Sequence, residues 1–141
     1  AWDNNQSAIQ DQLYVLANQH RGIVKSYGKV DYIVLDSPII LSLVYRSMYR
    51  ATSYPSTLYN SEHFDKLVLD IHNQYDSLNI LLERSDDGIH NNDERYQSLE
   101  ESKKLDREIE NTLIKNNIPY HKVKVGNKTV KNIVKLLGYS K

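Results

Sequence analysis

The sequence lacks the residues on which several classes of protein depend. None of its 141 residues is cysteine, so a disulfide framework and a thiolate zinc site are excluded. No apolar run reaches the roughly 18 residues that a membrane-spanning helix needs, and the first residues do not follow the pattern of a signal peptide. The composition, 40% hydrophobic and 26% charged, is that of an ordinary globular protein. We therefore expect a single cytoplasmic domain, residues 1–141, that makes no contact with a membrane.

Several catalytic signatures are also missing. There is no glycine-rich loop of the form GxxxxGK[ST], whose backbone amides and lysine cradle nucleotide phosphates. There is no GxSxG elbow and no kinase HRD motif, and the five histidines do not have the spacing of metal ligands. The sequence therefore predicts neither a serine hydrolase nor a metal centre built on histidine.

The neutral net charge hides a basic C-terminal end. Residues 1–110 hold 11 Lys and Arg against 18 Asp and Glu, whereas residues 111–141 hold seven lysines and no acid. Such an end attracts nucleic acid, a membrane surface or a phosphate-rich ligand. The lysines are spread out rather than interleaved with aromatic side chains, which disfavours nucleic acid. We interpret most of them as solvated surface, and a phosphate-rich ligand is the alternative.

The pattern richest in information is an apolar run that ends in a carboxylate. The β-branched residues of Val30–Leu35 predict a strand buried on both faces of a parallel sheet, and Pro38 must end it. Asp36 then stands at the carboxyl end of a strand, where ligands of open α/β sheets bind. Two interpretations stay open: Asp36 orders a magnesium ion through water, or it caps the following helix.

Hydrophobic periodicity predicts helices that alternate with strands along the rest of the chain. The first helix is expected to begin after Ser7 as N-cap and to end before Gly28, and the last to end at Gly138. The alternation predicts an α/β fold with a parallel sheet. The predicted helices span 7–26, 39–49, 62–74 and 96–116, with a fifth after Asn127, and the strands span 30–35, 77–84 and 120–125.

Two groups of polar residues are further candidates for binding. Arg84 and Arg95 flank a polar segment, residues 85–95, that has the character of a lid closing over phosphates. The competing interpretation pairs the two arginines with nearby acids. Residues Gln12, Gln19 and Arg21 lie on or beside the first helix, as substrate contacts or as ordinary surface.

In this order, the motifs resemble a family of small P-loop NTPases and nucleotide kinases of tailed bacteriophages. Its AAA-type domain is related to the nicotinamide riboside kinases. The most specific match is Tyr27–Asp31 leading into Asp36-Ser37-Pro38. Gln19-His20-Arg21, the lid-like Glu94–Gln97 and Val125-Gly126-Asn127 also resemble family segments, although Glu94 stands where the family has glycine.

The resemblance implies a three-layer parallel sheet with helices on both faces, and phosphoryl transfer from ATP with magnesium. Asp36 would be the Walker B carboxylate and a water-mediated magnesium ligand, and Arg84 and Arg95 the catalytic arginines of a lid at about 85–96. Gly126 and Asn127 would lie near the nucleobase. Gln12, Gln19 and Arg21 would face the acceptor, which is left open between a nucleotide, a nucleoside and water. The compartment would be the cytoplasm of the host cell if the protein is phage-encoded, and the oligomeric state is open.

One large departure separates the chain from this family. The family begins with a strand, the GxxxxGK[ST] loop, a helix and a second strand, and none of these is present. We therefore expect an N-terminally truncated domain that is inactive by itself and exposes apolar strand edges. The alternative is a non-catalytic module on a degenerate P-loop scaffold that binds a phosphate ligand or nucleic acid.

Overall fold

The computed structural model describes residues 11–49, 62–84 and 99–138. The chain divides into two compact units, Ala1–Ser77 and Leu78–Lys141. Predictions made for Arg95 and for the lid at 85–96 lie outside the described residues.

The first unit contains three described helices. They are α1 (Gln12–Ser26), α2 (Leu41–Tyr49) and α3 (Glu62–His72), which confirms the three predicted helices to within a few residues where they are described. The N-cap of α1 is Asp11, whose carboxylate accepts a hydrogen bond from the Tyr14 amide at 3.0 Å. The predicted N-cap, Ser7, lies outside the described residues, and the helix that the structure describes is capped by Asp11 instead. Gly28 follows α1 with φ +74°, the left-handed conformation that ends helices.

Apolar side chains from all three helices form the core of the first unit. Each helix contacts the other two. An ion pair between Arg46 on α2 and Asp65 on α3 joins two of them, with the arginine side chain only 15% exposed. The buried apolar residues are Leu16, Ile23, Ile39, Ile40, Leu43, Val44, Phe64 and Val68.

Residues 30–35 do not form the predicted strand. The segment has no ladder partner among the described residues, and its side chains are exposed, with Val34 at 93%. Both parts of the prediction, strand and burial, are therefore wrong for this structure. The physical reason is that β-branched residues favour an extended backbone, but only a neighbouring strand turns that backbone into a sheet.

The second unit contains a small parallel sheet. Strand β1 (Ile80–Glu83) pairs with β2 (His121–Lys124), with Ile80 opposite His121. The ladder continues beyond the strand ends, from the His121 amide to the Asn79 carbonyl at 2.9 Å and from the Val125 amide to the Glu83 carbonyl at 3.0 Å. The helix α4 (Leu99–Lys115) connects the strands, and α5 (Thr129–Leu136) follows β2. Mixed helices and a parallel pair confirm the α/β class, whereas the three-layer arrangement stays a prediction.

The second unit is less well buried than the sequence predicted. Its buried apolar residues are Leu105, Leu113, Ile118 and Val123, whereas Leu82 on β1 is 50% exposed. The prediction of a strand at 77–84 is confirmed for Ile80–Glu83, but its burial is wrong, because none of residues 77–84 is buried. Within the described ranges the sheet has two strands, and each has one edge without a ladder partner. Helix α5 is amphipathic, as predicted, yet none of its residues is buried.

Helix α4 ends in a motif that the sequence did not suggest. Asn117 adopts the left-handed conformation, with φ +53°. The Ile118 amide donates to the Leu113 carbonyl at 2.9 Å and the Asn117 amide to the Ile114 carbonyl at 3.1 Å, the two hydrogen bonds of a Schellman motif. Buried Leu113 and Ile118 supply the accompanying apolar contact positions. The chain therefore turns sharply from α4 towards β2.

Candidate functional site

Asp36 lies at the end of the exposed segment that precedes α2. Its side chain is exposed, and the following residues form a turn in which the Pro38 carbonyl accepts from the Leu41 amide at 2.9 Å. Since α2 begins at Leu41, an N-cap carboxylate would have to lie closer to the helix than Asp36 does. The capping interpretation of Asp36 is therefore wrong, and its carboxylate is available to solvent.

Helix α1 is fastened to this segment by Gln19. The Gln19 Nε2 donates a hydrogen bond to the Ser37 carbonyl at 2.8 Å, across 18 residues of sequence. The structure thus brings Gln19 next to Ser37, the residue that follows Asp36. Gln12 lies on the same helix but is only 1% exposed, whereas Arg21 is exposed to solvent.

Arg84 immediately follows β1 and binds a carboxylate on α4. Its Nε donates to Asp106 Oδ2 at 2.5 Å and its Nη2 to Asp106 Oδ1 at 3.1 Å. The hydrogen bonds that Arg84 donates to Asp106 raise the pKa of the guanidinium above its usual value. The sequence predicted either a lid arginine or a pair with acids of the 85–95 segment. The observed partner comes instead from the helix that follows that segment.

The turn at Gly126 and Asn127 is closed by a hydroxyl group. Thr129 Oγ1 accepts from the Gly126 amide at 2.8 Å and donates to the Gly126 carbonyl at 2.7 Å. Both polar backbone atoms of Gly126 are therefore engaged, whereas the Asn127 side chain is exposed. Sequence reasoning missed Thr129, although a threonine three residues after a glycine at the start of a helix is a recognisable turn signal.

A cluster of charged and phenolic groups joins α4 to β2 and was also missed. Glu110 Oε1 accepts from the Tyr120 hydroxyl at 2.7 Å and from Lys122 Nζ at 2.5 Å, and Glu83 lies 3.9 Å from the same lysine. The Lys122 and Tyr120 hydrogen bonds lower the pKa of Glu110, and Glu110 raises the pKa values of Tyr120 and Lys122. The alternation of Tyr120 and Lys122 along one strand was the available signal.

Comparison with known proteins places the chain in a family. A family model described as an AAA domain matches residues 2–129, which is most of the sequence. The chain belongs to the AAA domain family. AAA domains are P-loop NTPase domains that typically bind ATP with magnesium. The predicted P-loop NTPase family is thereby confirmed at this level. Comparison with curated proteins and with solved structures finds no match.

The residues of this AAA domain fit one particular way of holding magnesium. Within the described ranges, no three His, Asp or Glu side chains are grouped so that they could hold a metal ion. Magnesium at nucleotide sites keeps several waters and uses only one or two carboxylates besides the substrate phosphates. The exposed Asp36 carboxylate fits that limited role.

None of the helices in the described part of the AAA domain is both long and apolar enough to cross a membrane.

Proposed function

We propose that this AAA domain carries the magnesium-ordering carboxylate of an ATP-dependent kinase for nucleotides or other small molecules, or of an ATPase. The observation that carries the proposal is the exposed Asp36 carboxylate. It follows an exposed segment and precedes Ser37, whose carbonyl α1 fastens through Gln19. Membership of the AAA family supports nucleotide as the ligand.

The proposed roles follow the chemistry of phosphoryl transfer, in which the protein mainly positions and neutralises charge. The magnesium ion, when bound, offsets the negative charge of the phosphates. Asp36 would hold this ion through water, and Arg84 and Arg95 would neutralise charge that develops on the phosphates. Gly126 and Asn127 would lie beside the nucleobase. Gln12 and Arg21 remain acceptor-side candidates. The fold would have three layers, with helices on both faces of the sheet.

The phosphate cradle is the part that the chain does not supply. No GxxxxGK[ST] motif occurs in its 141 residues, and that loop provides the amides and the lysine that bind ATP phosphates. We propose that these groups come from residues outside this sequence and that the 141 residues alone do not turn over ATP. The proposed bacteriophage origin and the relation to nicotinamide riboside kinases are part of the same proposal.

The test uses the protein expressed from the complete reading frame. Asp36→Asn is expected to lower kcat for MgATP turnover by about 100-fold, which corresponds to about 2.7 kcal/mol of transition-state stabilisation, with ATP affinity almost unchanged. Asp31→Asn is the matched control, because Asp31 is an exposed carboxylate of the same segment. A wild-type rate for Asp36→Asn, or equal losses of rate and affinity, would contradict the metal role.

The second candidate function is binding of a phosphate ligand or nucleic acid at the basic end. Lys128, Lys131 and Lys135 are exposed on or next to α5, and the last 31 residues contain no acid. In this case, an oligonucleotide would bind with an affinity that falls steeply with salt, because each neutralised phosphate releases counterions. Such binding without any MgATP turnover by the complete protein would favour the second function over the first.

A further inference from the structure

We infer that Gln19 is a positioning residue that holds Asp36 in place, rather than a contact for the phosphoryl acceptor. The inference deepens the proposed function and depends on it, because it assigns Gln19 to the Asp36 carboxylate. The feature at issue is the hydrogen bond from Gln19 Nε2 to the Ser37 carbonyl, 2.8 Å long.

The Asp36 segment has reason to need such a fastening. A carboxylate that orders a metal ion must be held to within a fraction of an ångström. In a sheet, a ladder of backbone hydrogen bonds would provide this, but residues 30–37 have no strand partner among the described residues. The Gln19 bond fixes the peptide unit between Ser37 and Pro38, one residue after Asp36. Helix α1 is itself anchored in the core through Leu16 and Ile23.

Two further features fix the segment from the opposite side. Pro38 directly follows Ser37, and its ring restricts its own φ angle. The Pro38 carbonyl then accepts from Leu41, and the Ile39 carbonyl accepts from Ser42 at 3.0 Å, so the chain passes directly into α2. Asp36 therefore precedes a backbone that is held on one side by α1 and on the other by the first turn of α2.

The orientation of the Gln19 amide argues against contact with an acceptor. Its Nε2 is engaged with Ser37, and its Oε1 is buried and has no hydrogen-bond donor among the described residues. A diffusing molecule would therefore meet an Nε2 that already donates to the backbone and an Oε1 that is buried. An amide arranged in this way serves the protein backbone rather than a substrate.

The experiment compares two amides on α1 in the protein from the complete reading frame. Gln19→Met keeps the length of the side chain and removes the donor. Asn18→Leu is the matched control, because the Asn18 Nδ2 donates to the Tyr14 carbonyl within the same helix and does not reach Ser37. The measurements are amide hydrogen exchange at Leu41, Ser42 and Leu43 and the kinetics of MgATP turnover.

Gln19→Met is expected to speed exchange at these three amides about tenfold and to lower kcat about tenfold, with KM for MgATP unchanged. Exchange at Val68 should stay as in the wild type, which excludes general unfolding, and Asn18→Leu should change neither measurement. Unchanged exchange or an unchanged kcat in Gln19→Met would overturn the inference, as would a higher KM with an unchanged kcat. If Asp36→Asn keeps its activity, the proposed function itself fails. Faster exchange in Gln19→Met would then show that the Gln19–Ser37 hydrogen bond holds the backbone but does not contribute to turnover.

Discussion

Arg84 and Asp106 form a two-point ion pair in which the guanidinium at the end of β1 meets both carboxylate oxygens of a residue on α4. The planar fork of arginine matches a carboxylate in this geometry, which lysine cannot reproduce. The pair joins β1 to α4, which are separated in the sequence by residues 84–98. Within the proposed function, it also sets the position from which Arg84 would approach a phosphate.

The Arg84–Asp106 pair is expected to contribute little to stability. Both side chains are more than a third exposed, at 37% and 38%, so solvent screens their attraction. A double-mutant cycle with Arg84→Ala and Asp106→Ala should give a coupling free energy below about 1 kcal/mol by urea unfolding. Arg107→Ala, which removes an exposed arginine next to Asp106, is the control. A coupling of several kcal/mol would show that the pair is a structural element rather than a surface contact.

The Arg46–Asp65 pair should matter more, because the Arg46 side chain is only 15% exposed. Asp65→Ala removes the carboxylate and leaves the guanidinium largely buried without it. We expect a loss of about 1–3 kcal/mol in the free energy of unfolding, below the range for fully buried pairs because Asp65 is 37% exposed. Asp70→Ala on the exposed face of α3 is the control and should cost less than about 0.5 kcal/mol. Equal effects of the two variants would contradict the structural role of the pair.

Two substitutions of Asn117, the left-handed residue after α4, are expected to affect stability differently. Asn117→Gly should leave stability unchanged or slightly higher, because glycine adopts φ +53° without steric cost. Asn117→Val should lower the free energy of unfolding by about 1–2 kcal/mol, since a β-branched side chain clashes with the backbone in that conformation. Thermal unfolding of the two variants measures the difference. If valine is tolerated as well as glycine, the Schellman turn is not formed in solution.

The Glu110 cluster predicts a pH dependence of stability. Hydrogen bonds from Lys122 and Tyr120 lower the pKa of Glu110 below 4.5 in the folded state. The contribution of Glu110 to the free energy of unfolding is therefore fully present above pH 4.5. It is lost as the pH falls through the lowered value. Tyr120 and Lys122 have raised pKa values, so their contribution is present below about pH 10 and is lost as the pH rises further.

Urea unfolding of Glu110→Gln over a pH series tests this dependence. The variant should lose less stability than the wild type between pH 5 and pH 3, and again above pH 10, because its amide has no charge to lose or to pair. Glu108→Gln on the same helix is the control and should follow the wild type. Identical pH profiles for Glu110→Gln and the wild type would show that the cluster does not form in solution.

The sequence predicted what depends on local pattern. Helices α1 to α4 have apolar residues at helical spacing, and Gly28 and Gly138 mark two of the helix ends. The parallel pairing of β1 and β2 follows from the helix between them. Residues 30–35 show the limit of this reasoning, because their composition favours an extended chain but cannot supply a neighbouring strand.

The candidate site depends on contacts between distant residues, and these could not be predicted from pattern. The role of Asp36 is a prediction from its position after an apolar run. The Gln19–Ser37 bond spans 18 residues and the Arg84–Asp106 pair spans 22, so each depends on how helices pack rather than on any motif. The roles of Gln12, Arg21, Arg95, Gly126 and Asn127 stay predictions.

Helix α5 is expected to be more open to a protease than α4. It has eight residues, none of them buried, and a helix of that length is barely stable unless packing supports it. Its lysines, Lys131 and Lys135, are exposed and lie within reach of trypsin as soon as the helix frays. Limited digestion should therefore cut α5 before it cuts α4, and the ratio of the two cleavage rates measures how weakly α5 is held against β2.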